Sequence, residues 1–129
     1  MGLYTIDSSC DLQKRALLAI ALVDVERAIQ SNCIRGQSLK NCLTDKLNKL
    51  KIKCTNKSGC GSAWPIFSNT IKINPAAFKP GGGCGPLEST ILHEMVHSCG
   101  RFFEKKPKGC EESCFGYDPK NEANPCDCK

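Results

Sequence analysis

Cysteine content is the feature that most constrains the fold of this chain. Eleven of its 129 residues are cysteines. That density in a short chain predicts a disulfide framework, and hence a secreted protein in an extracellular or periplasmic setting. A cysteine-bound structural zinc cluster is disfavoured because no C-x-x-C pair occurs. Spacing does not fix the pairing, and the odd number leaves at least one thiol outside any internal disulfide.

Length and charge narrow the possible classes of protein further. The length predicts one domain, residues 1–129, with a modest core. No apolar run is long enough to span a bilayer, so we expect no transmembrane segment and a mature or excised domain, or export without a signal peptide. The formal net charge of +5 favours a solvated surface or attraction to anionic cell-wall polymer or lipid headgroups. Nucleic acid is disfavoured, because no binding motif occurs and aromatic residues are few.

The hydrophobic pattern indicates a small α+β domain with N-terminal helices and a short sheet. The first helix is apolar on all sides in its middle, which predicts that the rest of the domain surrounds it. The first two helices are expected to form a hairpin that Cys10, Cys33 and Cys42 could staple, and residues 101–109 are expected to be irregular. Helices are predicted over 11–31, 38–50, 86–99 and 110–117, and strands near 52–54 and over 70–74.

The segment His93-Glu94-Met95-Val96-His97 is an H-E-x-x-H motif on a predicted helix. Residues i and i+4 share a helix face, so His93 and His97 can present two imidazole nitrogens to one zinc ion. Glu94 can then act as general base toward water. Two solvated histidines could occur by chance, but these are the only two in the chain and their surroundings are apolar. We therefore predict a zinc site.

Catalytic zinc usually has a third protein ligand, and no third histidine exists. The pattern H-E-x-x-H-x-x-G-x-x-H fails, because residue 103 is Phe103. If residues 110–117 are helical, Glu111 lies on the buried face, so Glu111 is the predicted ligand and Glu112 the alternative. A thiolate from Cys84 is less favoured, although it could block the open position. The carboxylate candidates are Glu104, Glu111, Glu112 and Asp118.

The H-E-M-V-H helix resembles that of the zincin metallopeptidases. The run T-I-K-I-N-P-A-A-F, the glycine-rich loop and E-S-T-I-L-H-E-M-V-H-S-C-G are similar to the core of small zincin domains, some of which end bacterial secreted toxins. Residues 109–116, G-C-E-E-S-C-F-G, are similar to the aspzincin motif G-T-x-D-x-x-Y-G, with Glu112 at the ligand aspartate and Phe115 at the tyrosine. The resemblance implies a zincin-like fold in which strand Thr70–Asn74 is the sheet edge that pairs with an extended peptide.

These patterns together predict a zinc-dependent metallopeptidase that hydrolyses peptide bonds. The substrate is expected to be a peptide or protein, or the peptide stems of peptidoglycan. The resemblance implies a toxin or effector role, with a cognate inhibitor or immunity protein as a possible partner. The alternatives are a disulfide-rich binding module with a non-catalytic zinc site and a scaffold without metal. Neither alternative gives Glu94 a role.

Overall fold

The computed structural model describes residues 3–65 and 67–129. Their secondary structure is α+β, as predicted, with two short 3₁₀ turns at Pro75–Phe78 and Pro125–Asp127. No helix in this part of the chain is long and apolar enough to cross a membrane. The helices are α1 (Leu12–Gln30), α2 (Gln37–Leu47), α3 (Leu87–Ser98) and α4 (Lys105–Phe115), and the strands are β1 (Thr5–Ile6), β2 (Lys51–Cys54), β3 (Gly61–Ser62) and β4 (Thr70–Ile73).

The four strands form one mixed sheet in the order β1-β2-β4-β3. The first two pairs are parallel, whereas β3 runs antiparallel to β4. The prediction that Thr70–Asn74 forms the sheet edge is therefore wrong, because β4 has a partner on each side. The short strand β3, which falls in a segment predicted as a loop, is an edge instead. Alternation in Thr70–Ile73 reports which face is buried and carries no information about which backbone edge is paired.

Helix α1 packs by one face only. Leu18 and Val25 are fully buried, whereas Ile20 is 67% exposed and Val23 is 53% exposed. The prediction that the rest of the domain surrounds this helix is therefore wrong. The domain is small, and other elements cover one side of α1 but leave apolar residues on the other side in solvent.

Helix α4 begins five residues earlier than predicted. Residues 105–109 were expected to be irregular because of Pro107, but this proline lies in the first turn of the helix. Backbone N–H groups in the first turn have no partner within the helix, so a proline costs little there. The connection from α3 is consequently short, and Gly100 adopts a φ of +89° as the chain leaves α3.

The predicted disulfide framework is confirmed, with five internal bonds in the described residues. No bond joins α1 directly to α2, so the predicted stapling of a helix hairpin is wrong. Cys42 instead ties α2 to the end of α3, and Cys33 ties the segment after α1 to α4, closing loops of 57 and 81 residues. Cys126 is free and exposed. The pairs are Cys10–Cys54, Cys33–Cys114, Cys42–Cys99, Cys60–Cys84 and Cys110–Cys128.

Candidate metal centre

Helix α3 holds both histidines on one face, as the motif predicts. Ile91, Leu92, Met95 and Val96 are all fully buried, which fixes the rotation of the helix in the core. The side chains of His93 and His97 are 14% and 12% exposed, and their ring centroids lie 4.9 Å apart. The two imidazoles therefore lie on one partly exposed face of a helix that cannot turn without disrupting the core.

One carboxylate, that of Glu104, spans the two rings. Its Oε2 lies 2.9 Å from Nε2 of His93, and its Oε1 lies 2.7 Å from Nε2 of His97. Glu104 directly precedes α4 and its side chain is 55% exposed. The ligand atoms of the three residues all lie within 4.8 Å of one another, so this group could hold a metal ion.

The other ring nitrogens are engaged on the opposite sides of the rings. Nδ1 of His93 contacts Oε2 of Glu111 at 2.9 Å, and the buried Ser89 hydroxyl donates a hydrogen bond to Oε1 of Glu111 at 2.6 Å. Nδ1 of His97 lies 2.7 Å from the carbonyl oxygen of Arg101. Such partners fix the tautomer and orientation of histidines that bind a metal.

This arrangement favours a cation between the two rings and Glu104. A carbonyl oxygen only accepts hydrogen bonds, so Nδ1 of His97 carries the hydrogen, and a neutral ring then turns an Nε2 lone pair toward the carboxylate. Nδ1 of His93 faces a carboxylate, that of Glu111, so when this ring is neutral with its hydrogen on Nδ1 it turns the same Nε2 lone pair toward Glu104. Lone pairs that face a carboxylate repel it unless protons or a metal ion lie between them. Two imidazoles and one carboxylate are also a donor set that catalytic zinc uses.

The contacts between Glu104 and the two rings can be compared with the spacing of donor atoms around a bound zinc ion. Donor atoms around a tetrahedral zinc ion, with bonds of about 2.0–2.1 Å, lie roughly 3.3 Å apart. The contacts from Glu104 to the two rings, 2.9 and 2.7 Å, are shorter than this. Because the Glu104 side chain is more than half exposed, its carboxylate can move outward by about half an ångström and open these two contacts to that spacing.

Charge and burial also affect the acidity of His93. Burial lowers the pKa of this ring, but the hydrogen bond and charge of Glu111, with two further carboxylates nearby, outweigh that effect. The pKa of His93 is therefore raised above its ordinary value. The same negative surroundings that favour the imidazolium also favour a bound metal cation.

Glu94 lies beside the two histidines and next to the edge strand. Its side chain is 7% exposed, and burial raises its pKa, although the positive charges of the two histidines oppose the shift. A Cβ added at Gly61 in β3 would lie 3.2 Å from Cγ of Glu94 and only 2.7 Å from the backbone oxygen of Lys72. Gly61 therefore leaves space for the Glu94 side chain to lie close to the backbone of β3.

A cavity of about 250 Å³ opens beside this group. His93 and Glu104 line one part of it, and the Cys60–Cys84 disulfide lines another. Lys108, which follows on α4, also faces the cavity. The cavity gives the candidate metal ligands access to a molecule larger than water.

The structure separates the candidates for the third ligand. Glu111 is buried and contacts His93 as expected, but through Nδ1, on the side of the ring away from Glu104. Glu112 is outside the group of potential ligands found in the described residues. Asp118 accepts hydrogen bonds from the backbone N–H groups of residues 122 and 123. Cys84 is bonded to Cys60 and has no free thiolate, so the idea that it blocks the site is wrong.

The sequence favours Glu111 over Glu104, whereas the structure brings Glu104 to the Nε2 atoms of both histidines. Its closeness to His97 along the chain and the neighbouring lysines counted against it. A usable signal was nevertheless present, because Gly100 fits a helix end and Pro107 fits a helix start. Together they indicate that only a few residues connect the two helices. Such a short connection keeps Glu104 close to the face of α3 that carries the histidines.

Comparisons of the chain with protein-family models, with curated proteins and with solved structures found no match.

Proposed function

We propose that this chain is a zinc-dependent metallopeptidase of the zincin type. The observation that carries the proposal is the convergence of both Nε2 atoms of the H-E-x-x-H histidines on one carboxylate, while both Nδ1 atoms have separate partners. An ordinary pair of surface histidines has no need for such an arrangement. The buried Glu94 beside it supplies the acid–base group that hydrolysis requires.

In this proposal His93, His97 and Glu104 hold the zinc ion. Zinc supplies a Lewis acid that polarises a carbonyl group and increases the acidity of water. Glu111 and the carbonyl of Arg101 keep the two rings oriented. The Glu94 carboxylate takes a proton from the attacking water and passes it to the leaving amine. Its raised pKa brings it closer to the range in which a carboxyl group both accepts and returns a proton.

Peptides are the proposed substrates because Glu94 lies next to the edge strand β3. An exposed edge can bind an extended peptide by adding it as a further strand. Gly61 keeps this edge close to Glu94, and the neighbouring cavity has room for a side chain. Extended protein segments and the peptide stems of peptidoglycan both contain peptide bonds that could be cleaved. The net charge of +5 favours attraction to an anionic cell envelope.

Secretion and a toxin or effector role complete the proposal. Five disulfides support an oxidising compartment. The toxin role, and with it a cognate inhibitor or immunity protein, follows from the resemblance of the motif helix and the segment before it to small secreted zincin domains.

The test compares zinc content and hydrolysis in matched variants of the oxidised protein. Glu94→Gln should keep about one zinc per chain and lose hydrolysis of an unfolded protein or of peptidoglycan peptides by about a thousandfold or more. His93→Ala should lose both zinc and hydrolysis, and Glu112→Gln should lose neither. Zinc binding in the wild type without hydrolysis of either substrate would leave a binding module with a non-catalytic site. A wild type that binds no zinc would refute the proposal.

A further inference from the structure

Four large aromatic side chains lie exposed in two neighbouring loops. They are Trp64, Phe67, Phe102 and Phe103, with exposed fractions of 70%, 66%, 61% and 83%. The first pair follows β3 and the second pair connects α3 to α4. We call these four residues, together with Lys105 and Lys106, the aromatic-basic patch. Its position in the fold does not depend on the chemistry proposed for the metal centre.

The two loops meet at Phe67 and Phe102. The rings of Phe67 and Phe102 pack edge to face with centroids 6.3 Å apart. The Phe67 ring also covers Gly100, where an added Cβ would lie 2.7 Å from the ring. In addition, the Lys46 ammonium donates hydrogen bonds to the backbone oxygens of Phe67 and Ser68 at 2.9 and 3.1 Å. These contacts hold the rings of Phe67 and Phe102 at the surface, although burial of an aromatic ring is ordinarily favourable.

Basic residues lie next to the rings of Phe102 and Phe103, and the carboxylate of Glu104 in the same loop contacts the two histidines. A cavity of about 240 Å³ is lined by Phe102 and Phe103 with Arg101, Lys105 and Lys106. Gly100 completes its lining, and among the described residues none that lines it is acidic. The side chain of Lys105 is 76% exposed, and within residues 3–65 and 67–129 its ion pair is a long one, of 3.9 Å, with Asp127. Its ammonium group is therefore free to reach a ligand.

We infer that the aromatic-basic patch binds the surface of an anionic lipid bilayer. Tryptophan and phenylalanine side chains are favourable at the level of the lipid headgroups, where the ring meets acyl chains. Lysines beside them attract anionic headgroups, and each contributes to binding when it lies near the surface. An apolar surface with a cationic rim has the chemistry that such a bilayer requires, and the overall charge of +5 acts in the same direction.

The inference implies that the candidate metal centre lies close to the bilayer when the protein is bound. The loop that carries Phe102 and Phe103 also supplies Glu104 and the carbonyl oxygen that accepts from His97. A docked protein would hold its metal ligands a few residues from the lipid headgroups. Substrates attached to or embedded in the membrane would then be within reach.

Vesicle co-sedimentation of the intact oxidised protein tests the inference. The wild type should bind vesicles of phosphatidylcholine mixed with phosphatidylglycerol, bind pure phosphatidylcholine much less, and lose binding at high salt. Lys105→Gln/Lys106→Gln should weaken binding by about thirtyfold, or about fivefold per lysine. Phe102→Ser/Phe103→Ser should weaken it by at least about tenfold.

The control uses another exposed apolar surface of the same protein. Ile20→Ser/Val23→Ser removes aliphatic side chains from the outer face of α1, away from the cavity lined by Phe102 and Phe103, and should leave vesicle binding unchanged. Thermal unfolding of each variant confirms that the fold is retained. No binding to anionic vesicles, equal binding to neutral ones, or equal losses in the α1 control would each overturn the inference. Loss of protein hydrolysis in the phenylalanine variant, without any lipid binding by the wild type, would assign the patch to a protein partner instead.

Discussion

Replacing Glu111 by glutamine should weaken zinc binding by about 10–100-fold without abolishing it. Glu111 contacts Nδ1 of His93 at 2.9 Å and Ser89 Oγ at 2.6 Å, so it would affect a bound zinc ion through the ring. Glutamine keeps the shape and one acceptor oxygen but loses the charge. A hydrogen bond to a charged group contributes about 1.5–3 kcal/mol, which corresponds to a factor of about 10–140 and agrees with that range.

The assay is competition for zinc with a chromophoric chelator, run on three variants that each exchange one glutamate for glutamine. Glu104→Gln should lose more affinity than Glu111→Gln, because it replaces the charged group that faces both Nε2 atoms. Glu112→Gln is the matched control on the same helix as Glu111, and its affinity should equal that of the wild type. If Glu111→Gln abolishes zinc binding while Glu104→Gln retains it, the assignment of the third ligand to Glu104 is refuted.

Three further predictions follow from the packing around the site and in the sheet. A Cβ added at Gly61 would meet Glu94 and the backbone of the neighbouring strand β4. Gly61→Ala should therefore destabilise the fold by about 1–3 kcal/mol, which calorimetry measures. It should also reduce hydrolysis in a peptidase assay while zinc content is retained. Lys46→Met should cost about 1–3 kcal/mol in denaturant unfolding, because three oxygens before β4 lose their buried donor. The control is the exposed ion pair between Lys49 and Asp45, where Lys49→Met should lower the free energy of unfolding by less than about 0.5 kcal/mol. Hydrogen bonds from Ser9 lower the pKa of Asp7 from its ordinary value of 3.8. Asp7→Asn should therefore reduce the melting temperature at neutral pH. The difference in melting temperature between the variant and the wild type should vanish as acid protonates the wild-type carboxyl group.

The features that sequence reasoning predicts well are local ones. The helix over residues 86–99 follows from its apolar spacing and from Gly100, and the structure has it at Leu87–Ser98. The placement of His93 and His97 on one face follows from helical geometry alone. Strand Thr70–Ile73 follows from its alternation. The disulfide framework follows from composition, although the pairs themselves depend on the tertiary fold.

The features that were missed depend on contacts between distant segments. Glu111 was correctly expected on the buried face of its helix, but which nitrogen of His93 it meets depends on how α4 crosses α3. Glu104 reaches the Nε2 atoms of His93 and His97 because α4 begins early and the connection is short. Strand β3 has two residues, too few to show any alternation, and forms only by pairing with β4. Local propensity carries no information about such pairing.

The most direct test of the account is X-ray absorption at the zinc edge of the zinc-loaded protein. The account predicts two imidazole nitrogens, from His93 and His97, and oxygen ligands at about 2.0–2.1 Å, with no sulfur neighbour. A sulfur shell at about 2.3 Å, or a spectrum with only one imidazole, would contradict the assignment of His93, His97 and Glu104 as the metal ligands.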